Sequence, residues 1–312
     1  MNKEQTEEKI KWIKDTFERK LSYELNLLRV SGPIIVEANS GINDDLGISN
    51  PVTFFSYGNK YQVVQSLAKW KRMRLKNFDK SKFSGIYVDM NAIRPDELVD
   101  KLHSYYVDQW DWEKIIEPQQ RNIAFLEYIV SKIHKVINSY FDNDKKYPSD
   151  PLFIDSLELY YKYPTLTPKE REYEIVEEYK VVFIKKIGNM LPNDEPHDSR
   201  ADDYDDWNLN GDLLYWSDAI NAPIEISSMG IRVDKKSLEK QLKERNTWND
   251  KRKKEYHKMI LNDELPLTIG GGIGQSRLCM LIMGCKHIGE VQASVWPKKE
   301  VERCKNEGIE LL

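Results

Sequence analysis

The run Gly270-Gly271-Gly272-Ile273-Gly274-Gln275-Ser276-Arg277 is the strongest chemical signal in the chain. Glycines let a backbone approach a flat ligand closely, and the start of a following helix offers unpaired N–H groups. Arg277, one turn into the helix continued by LCMLIM, can lay a delocalised cation over a purine or against a phosphate. No Gly-Lys-Ser/Thr closes the run, so it is not a Walker A loop. Taken alone it reads equally well as a flexible strand-to-helix turn.

A second signal is Arg94 in AIRPDE, followed by VDQWDWE. An arginine entering a hairpin loop can reach a phosphate bidentately. Gln109, Asp111 and Glu113 alternate on one face of the next strand, which suits either a lined pocket or a solvated face. Asp212 and Glu225 fall on separate strands, where hard oxygen ligands can share Mg²⁺ with a nucleotide phosphate. Glu225, Ser227, Ser228 and Arg232 form a set able to grip the charged ends of an amino acid.

In DYDDW and the residue before it, Asp202, Asp203, Asp205 and Asp206 crowd together, as a solvated acidic loop or with one carboxylate facing an ammonium group. The basic run KWKRMRLK (69–76) could suggest RNA binding, but reads first as a solvated helix face, with Lys71 turned into a site as the third option. The histidines His103, His134, His197, His257 and His287 show no ligand spacing, and His103 alone lies near these motifs.

These residues need elements to carry them. Ile10, Ile13, Phe17, Leu21, Leu25 and Leu28 predict one amphipathic helix over 3–28. Pro33 ends helical pattern, and Ile34, Ile35 and Val36 favour a strand. VTFFSY and YQVVQ form a hairpin around GNK, and a helix follows with Ser66 as its N-cap. Strands are expected at GIYVDMNAIR, SYYVDQWDWEKI, YKVVFIKKIG, DLLYWS and PIEISSMGIRVD, and helices at 119–141, 168 onward and 235–262. LTIGGGIGQSRLCMLIM reads as strand, glycine turn and helix. Hairpins and meanders with helices between them imply an α+β fold around a mostly antiparallel sheet flanked by helices. Neither tandem repeats nor a linker divides the 312 residues, so one catalytic domain over 1–312 is expected.

Composition narrows the class. Hydrophobic residues at 40% and charged residues at 31% describe a soluble globular protein. The formal charge of -4 gives no global field for nucleic acid or an anionic membrane. Cys279, Cys285 and Cys304 have neither zinc nor disulfide spacing. The charged N-terminus lacks a signal-peptide core, and no apolar run is long enough to span a bilayer, so a cytoplasmic location is expected.

SLAKWKR, AIRPDE, VDQWDWE, DYDDW, LNGD, EISSMGIRVD, TIGGGIGQSR and HIG-VQA-VWP stand in order between about residue 25 and residue 297. Together they resemble the ammonia-dependent asparagine synthetase family, the bacterial aspartate–ammonia ligases. That family is similar to the catalytic core of class II aminoacyl-tRNA synthetases. The resemblance implies the class II fold and a homodimer, with VSGPIIV and its Pro33 as the interface motif. It shows no counterpart of an anticodon-binding barrel before residue 30.

The resemblance further implies that ATP and L-aspartate give β-aspartyl-AMP and pyrophosphate, and that ammonia then releases asparagine and AMP. On matching positions, Arg94, His103, Asp111, Glu225, Gly272, Gly274 and Arg277 would bind ATP. Asp212 and Glu225 would organise Mg²⁺. Lys71 and Arg232 would hold the aspartate α-carboxylate. Asp44, Ser66, Asp205, Ser227 and Ser228 would surround the amino group and backbone, and Gln109 would sit by the β-carboxylate. Arg94, Gln109, Asp44 and Lys71 would be the catalytic set.

Asp44 lies in GINDDL, a loop that could close over the intermediate, and the loose match leaves Asp45 as its alternative. The segment between DYDDW and LNGD is almost absent, Trp207 running directly into Asn208. The competing reading is a class II synthetase-like paralogue that acts in a tRNA-dependent or regulatory way. A basic appended domain would favour it, and none is seen. A ligase for another acid would be expected to disturb SSMGIR, which is intact. Asn2 stands where glutamine-using synthetases carry a cysteine, so free ammonia is the expected donor.

Overall fold

Alternation decides which side of the sheet is covered and which is left for chemistry. The computed structural model describes residues 2–44, 50–141 and 146–312. The elements run α1 (Lys3–Leu25), β1 (Leu27–Arg29), β2 (Ile35–Glu37), β3 (Thr53–Ser56), β4 (Asn59–Val63), α2 (Ala68–Arg74), β5 (Gly85–Ile93) and β6 (Tyr106–Ile115). Then come α3 (Ile123–Asn138), β7 (Leu152–Asp155), α4 (Ser156–Lys162), α5 (Pro168–Tyr179), β8 (Val181–Lys185), β9 (Asp205–Ser217) and β10 (Ala222–Arg232). The chain closes with α6 (Lys235–Glu244), α7 (Trp248–Lys251), α8 (Glu255–Leu261), β11 (Thr268–Gly274), α9 (Gln275–Met283) and α10 (Lys298–Asn306).

The large sheet has the order β1-β5-β6-β11-β10-β9-β8-β7, and β2-β4-β3 form a small one. The six strands from β5 to β8 pair antiparallel, while β1 on β5 and β7 on β8 are parallel. The sheet is therefore mixed, with the expected antiparallel centre. Trp110, Trp112, Tyr215, Met229, Ile231, Ile269 and Ile273 share one core with Phe17, Leu126, Ile133 and Leu278. That core places α1, α3 and α9 on one face. On the other face α4 and α5 cover the β8–β9 end, through Leu159, Ile175 and Val176 against Val182, Ile184, Leu214 and Trp216. The middle of that second face carries the polar members of β6, β9 and β10.

Several boundaries differ from the sequence expectation. The first helix ends at Leu25, because Asn26 adopts the left-handed conformation (φ 56°), and the next residues pair with β5. The helix expected over 119–141 starts at Ile123, with Asn122 as its side-chain cap. The helix expected over 235–262 is three pieces, α6, α7 and α8, interrupted where Asn246 turns left-handed (φ 58°). Ser66 is not the N-cap of α2; Leu67 is, and it has no side-chain cap of its own. The Asp44 carboxylate reaches in from the segment after β2 and accepts the Ala68 N–H at 2.8 Å. Strands β1 and β7 and helices α4 and α10 are too short or too polar to announce themselves by periodicity.

The glycine run is not a turn: Gly270 to Gly274 are strand residues, and α9 begins at Gln275. Their smallness serves side chains that cross above them. Gly270, Gly272 and Gly274 stand opposite Glu113, Asp111 and Gln109 in register. A Cβ at Gly270 would lie 2.0 Å from Glu113 Oε2 and 2.5 Å from Arg232 Nη2. One at Gly272 would lie 2.4 Å from Gln109 Oε1. Gly270→Ala should therefore lower stability by at least ~1–3 kcal/mol in urea titration, the scale of overpacking. An equivalent loss is not expected for Ala at Gly274, where the nearest atom is Arg277 Cβ at 3.3 Å.

Candidate functional site

The uncovered middle of the sheet holds a cavity of about 330 Å³. Its floor is β11, bare because of its glycines, and its walls are the side chains of β6 and β10 leaning over that strand. Residues Ser66 and Lys71 close it from α2, Arg94 and His103 from the β5–β6 loop, and Arg277 from α9.

One end is built on Arg232. Its Nη2 donates to Glu113 Oε2 at 2.7 Å and its Nε to Glu113 Oε1 at 3.0 Å, so β10 grips β6 across Gly270. Its Nη1 binds Asp205, at the start of β9. Arg232 is 2% exposed, and burial opposes its charge, but the two carboxylates outweigh that and hold its pKa well above the usual guanidinium value. Burial likewise works against Glu113, and Arg232 more than offsets it, leaving that carboxyl below its usual range.

Lys71 is buried beside them, with its ammonium 3.2 Å from Asp111 Oδ2 and donating to the carbonyls of Trp112 and Gly271. Arg200, from the loop before β9, donates to Ser228 Oγ at 2.6 Å and to Asp205 Oδ2 at 3.4 Å. Three cations, several carboxylates and a serine hydroxyl thus surround a space suited to a small zwitterion.

The other end is cationic against a carboxylate pair. Arg94 and Arg277 both face the cavity, and Arg94 Nε has no hydrogen-bond partner. Burial, reinforced by the Arg277 cation, pulls Arg94 below the usual guanidinium range. Two cations crowded in this way favour an anion between them. Arg277 Nη1 donates to the Glu225 carbonyl at 3.1 Å and lies 3.7 Å from its carboxylate. Asp212, on the neighbouring strand, has a buried Oδ1 without a partner. Burial, then the nearby Glu225, pushes Asp212 well above the usual carboxylate range. An oxygen pair that is electrostatically frustrated when empty of charge suits a hard divalent cation.

The family model for aspartate-ammonia ligase matches residues 4–308. The chain belongs to the aspartate–ammonia ligase family. It is 51% identical to the aspartate–ammonia ligase of Fusobacterium nucleatum subsp. nucleatum, over 99% of this chain and 97% of that one. It is 48% identical to that of Pediococcus pentosaceus, over 99% and 95%. In fold it is similar to the asparaginyl-tRNA synthetase of Pyrococcus horikoshii complexed with asparaginyl-adenylate. The TM-score is 0.64 at 15% identity, covering 94% of this chain and 70% of that chain. The Entamoeba histolytica asparaginyl-tRNA synthetase in complex with the same adenylate gives a TM-score of 0.66 at 14% identity, covering 93% and 66%. The class II synthetase fold expected from the motifs is thereby shown.

Within this ligase family member, the structure brings Ser66, Lys71, Arg94, His103, Gln109, Asp111, Asp205, Glu225, Ser228, Arg232, Gly272, Gly274 and Arg277 to the cavity wall. Three named residues lie elsewhere. Asp44 is not on the wall; besides capping α2, it lies 3.7 Å from the Lys69 ammonium. Ser227 turns its hydroxyl to the Gly272 carbonyl at 2.9 Å. Asp212 does not line the cavity; it stands opposite Ser228 in register and close enough to Glu225 to feel its charge. Asp45 lies outside the described residues. The solvated-face reading of KWKRMRLK does not hold, because Lys69, Lys71 and Arg72 are all buried.

Arg200, Tyr204 and Glu97 line the cavity and were not singled out from the sequence. A signal for Arg200 was present: a lone arginine just before four closely spaced carboxylates is the natural counter-charge of that cluster.

Among the described residues, one group of three possible metal ligands exists, His287, Glu300 and Cys304, away from the cavity wall. His287 Nδ1 accepts the Gly289 N–H, so its proton sits on Nε2 and is donated to Glu300 at 2.8 Å. Arg303 also binds that carboxylate. The group clamps α10, with the imidazole and the Glu300 carboxylate already engaged in hydrogen bonds to each other, to Gly289 and to Arg303.

Replacing Glu113 with alanine strands the buried Arg232 with Asp205 alone. A loss of roughly 3–5 kcal/mol in unfolding free energy is expected, the scale of breaking one partner of a buried ion pair. Chemical denaturation followed by tryptophan fluorescence measures it.

Proposed function

We propose that this protein makes L-asparagine from L-aspartate and ammonia, using ATP, through a β-aspartyl-AMP intermediate with release of AMP and pyrophosphate. The observation that carries the reading is the pairing of two ends in one cavity: an amino-acid-sized end around Arg232 and Lys71, and an anion-binding end between Arg94 and Arg277. Membership of the aspartate–ammonia ligase family supports it independently.

In this reading the aspartate α-carboxylate sits against Lys71 and Arg232, and its ammonium faces Asp205 and Ser228. The β-carboxylate then points toward Gln109 and the Arg94 side. Its oxygen attacks the α-phosphorus of ATP, and the bond to pyrophosphate breaks. Arg94 neutralises the charge that builds on the α-phosphate, and Arg277 lies against the base or phosphate. Ammonia next attacks the acyl carbon, loses a proton, and AMP departs. The protein mostly positions reactants and compensates charge, which suits a site with many fixed dipoles and ion pairs.

Mg²⁺ fits Glu225 and the unpartnered, buried Asp212 Oδ1. When bound there it would neutralise phosphate oxygens and help the pyrophosphate leave. His103, held by Asp100 at 2.9 Å and lining the cavity, would meet the outer phosphates in this reading.

The small sheet β2–β4 exposes Ile34, Ile35, Phe54, Phe55 and Tyr57, with Phe55 at 75%. So large an apolar surface suits burial against a second copy, in line with the homodimer expected from VSGPIIV. A mass of one chain by light scattering would sink that part. No helix among the described residues is long and apolar enough to cross a membrane.

Purified protein given ATP, Mg²⁺, aspartate and ammonium should release AMP and asparagine in equal amounts. Production of ADP, or turnover with glutamine alone, would overturn the reading. Arg277→Ala should abolish AMP formation while leaving the circular dichroism spectrum unchanged.

A further inference from the structure

Arg277 is the third residue of α9, so its place over the cavity depends on how that helix starts. The N-cap Gly274 offers no side chain to the first helical N–H groups. Asp108 of β6 supplies the missing acceptor. Its Oδ1 accepts the Ser276 N–H at 3.1 Å and its Oδ2 accepts the Ser276 hydroxyl at 2.9 Å. The carboxylate is thus both a cap and a negative charge at the positive end of a helix. Gln292, from the HIG-VQA segment that the proposed reaction leaves unused, donates to Ser276 Oγ at 3.1 Å and to Asp108 Oδ1 at 3.4 Å. Ser104 from the β5–β6 loop donates to Gln292 Oε1 at 2.5 Å. Ser104, Asp108, Ser276 and Gln292 all reach the cavity wall.

Asp108 is 5% exposed, so its charge needs a counter-ion. That ion comes from α1: Lys14 Nζ donates to Asp108 Oδ2 at 2.8 Å. The lysine is held in place by its helix. Ile10, Ile13 and Phe17 are buried around it, and the Phe17 ring lies 4.7 Å from that of Trp110, two residues beyond Asp108. Burial opposes the Lys14 charge and Asp108 more than restores it, so the ammonium is firmly protonated.

We infer that α1 is a working part of the nucleotide end of the site, with Lys14 and Asp108 as positioning residues that seat the start of α9 and aim Arg277. The inference rests on the reading in which Arg277 binds ATP. The aspartate end hangs instead from Asp205, Ser228 and Arg232 of β9 and β10 and from Glu113 farther along β6, and no hydrogen bond among the described residues joins those side chains to Asp108 or Ser276. Loss of Lys14 leaves a buried carboxylate without counter-charge. The Ser276 N–H then loses a fixed acceptor, and the first turn of α9 loosens under Arg277.

The test uses the full chain as wild type, Lys14→Met, Lys14→Arg, Asp108→Asn and the Lys14→Met/Asp108→Asn double variant. ATP affinity with Mg²⁺ is read by calorimetry, together with KM for ATP and for aspartate and the thermal midpoint. Lys14→Met should weaken ATP binding roughly tenfold, the scale of one charge-assisted hydrogen bond, and raise the ATP KM alike, with the aspartate KM unchanged. Lys14→Arg should recover most of the loss, and the double variant should bind ATP no worse than Asp108→Asn alone. Unchanged ATP affinity in Lys14→Met overturns the inference. So does a parallel rise of the ATP and aspartate KM values with a fall of the thermal midpoint, or an additive double variant. A wild type that binds ATP yet forms no asparagine sinks the functional reading, and the binding comparison still decides this one.

Discussion

The site depends on one contact that an ordinary sheet forbids. Arg232 of β10 and Glu113 of β6 belong to strands two places apart, and they meet directly above β11. Neighbouring strands lie about 4.8 Å apart, so the two side chains span nearly 10 Å between their backbones. Any side chain at Gly270 would stand in the way. The glycine run therefore removes the strand between them as an obstacle, and the pair fixes the width of the cavity. Because the ions are buried and paired twice, with Asp205 as the second anion, Arg232 is held in one position before any ligand arrives.

Charge compensation extends outward from that pair. Lys71 is matched by Asp111, and Arg200 by Asp205, Asp198 and the Ser228 hydroxyl. The end proposed for aspartate is thus balanced within itself. The nucleotide end is less so. Arg94 and Arg277 repel one another, Asp212 and Glu225 do likewise, and buried atoms of Arg94 and Asp212 lack partners. The contrast is chemically sensible. In the proposed reading the amino acid needs a rigid frame, whereas a triphosphate with its cation would bring the charges that complete the other half.

The two ends also hang from different parts of the molecule. The strands β9, β10 and β6 carry the aspartate end. Arg94 comes from a hairpin loop, and Arg277 from a helix whose first turn is capped by Asp108 and, behind it, Lys14 of α1. The first helix buries Ile10, Ile13, Phe17 and Leu21 against the same core as α3 and α9. It is therefore a layer of the fold and, in the proposed reading, a brace for Arg277.

Much of this was legible in the residues themselves. The period-2 pattern of VDQWDWE set Gln109, Asp111 and Glu113 on one face, because successive strand side chains must alternate. The helical period of Ile10 to Leu25 set the buried face of α1, and the ordered motifs identified the family and its class II fold. Other features depend on residues far apart in sequence, and no local pattern encodes them. The glycines read as a turn, since sequence alone does not say that side chains from two other strands pass over them. KWKRMRLK read as solvated, since the carboxylates that neutralise Lys71 and Lys69 lie on β6 and in the 44 and 203 regions. Asp44 read as a substrate contact, yet its carboxylate caps α2, a role fixed by how a loop folds back. The sequence by itself determined which groups are available and which face of each strand they take. Tertiary structure decided which charges are buried together, because a buried charge is tolerable only beside a partner that the fold, not the neighbouring residues, brings to it.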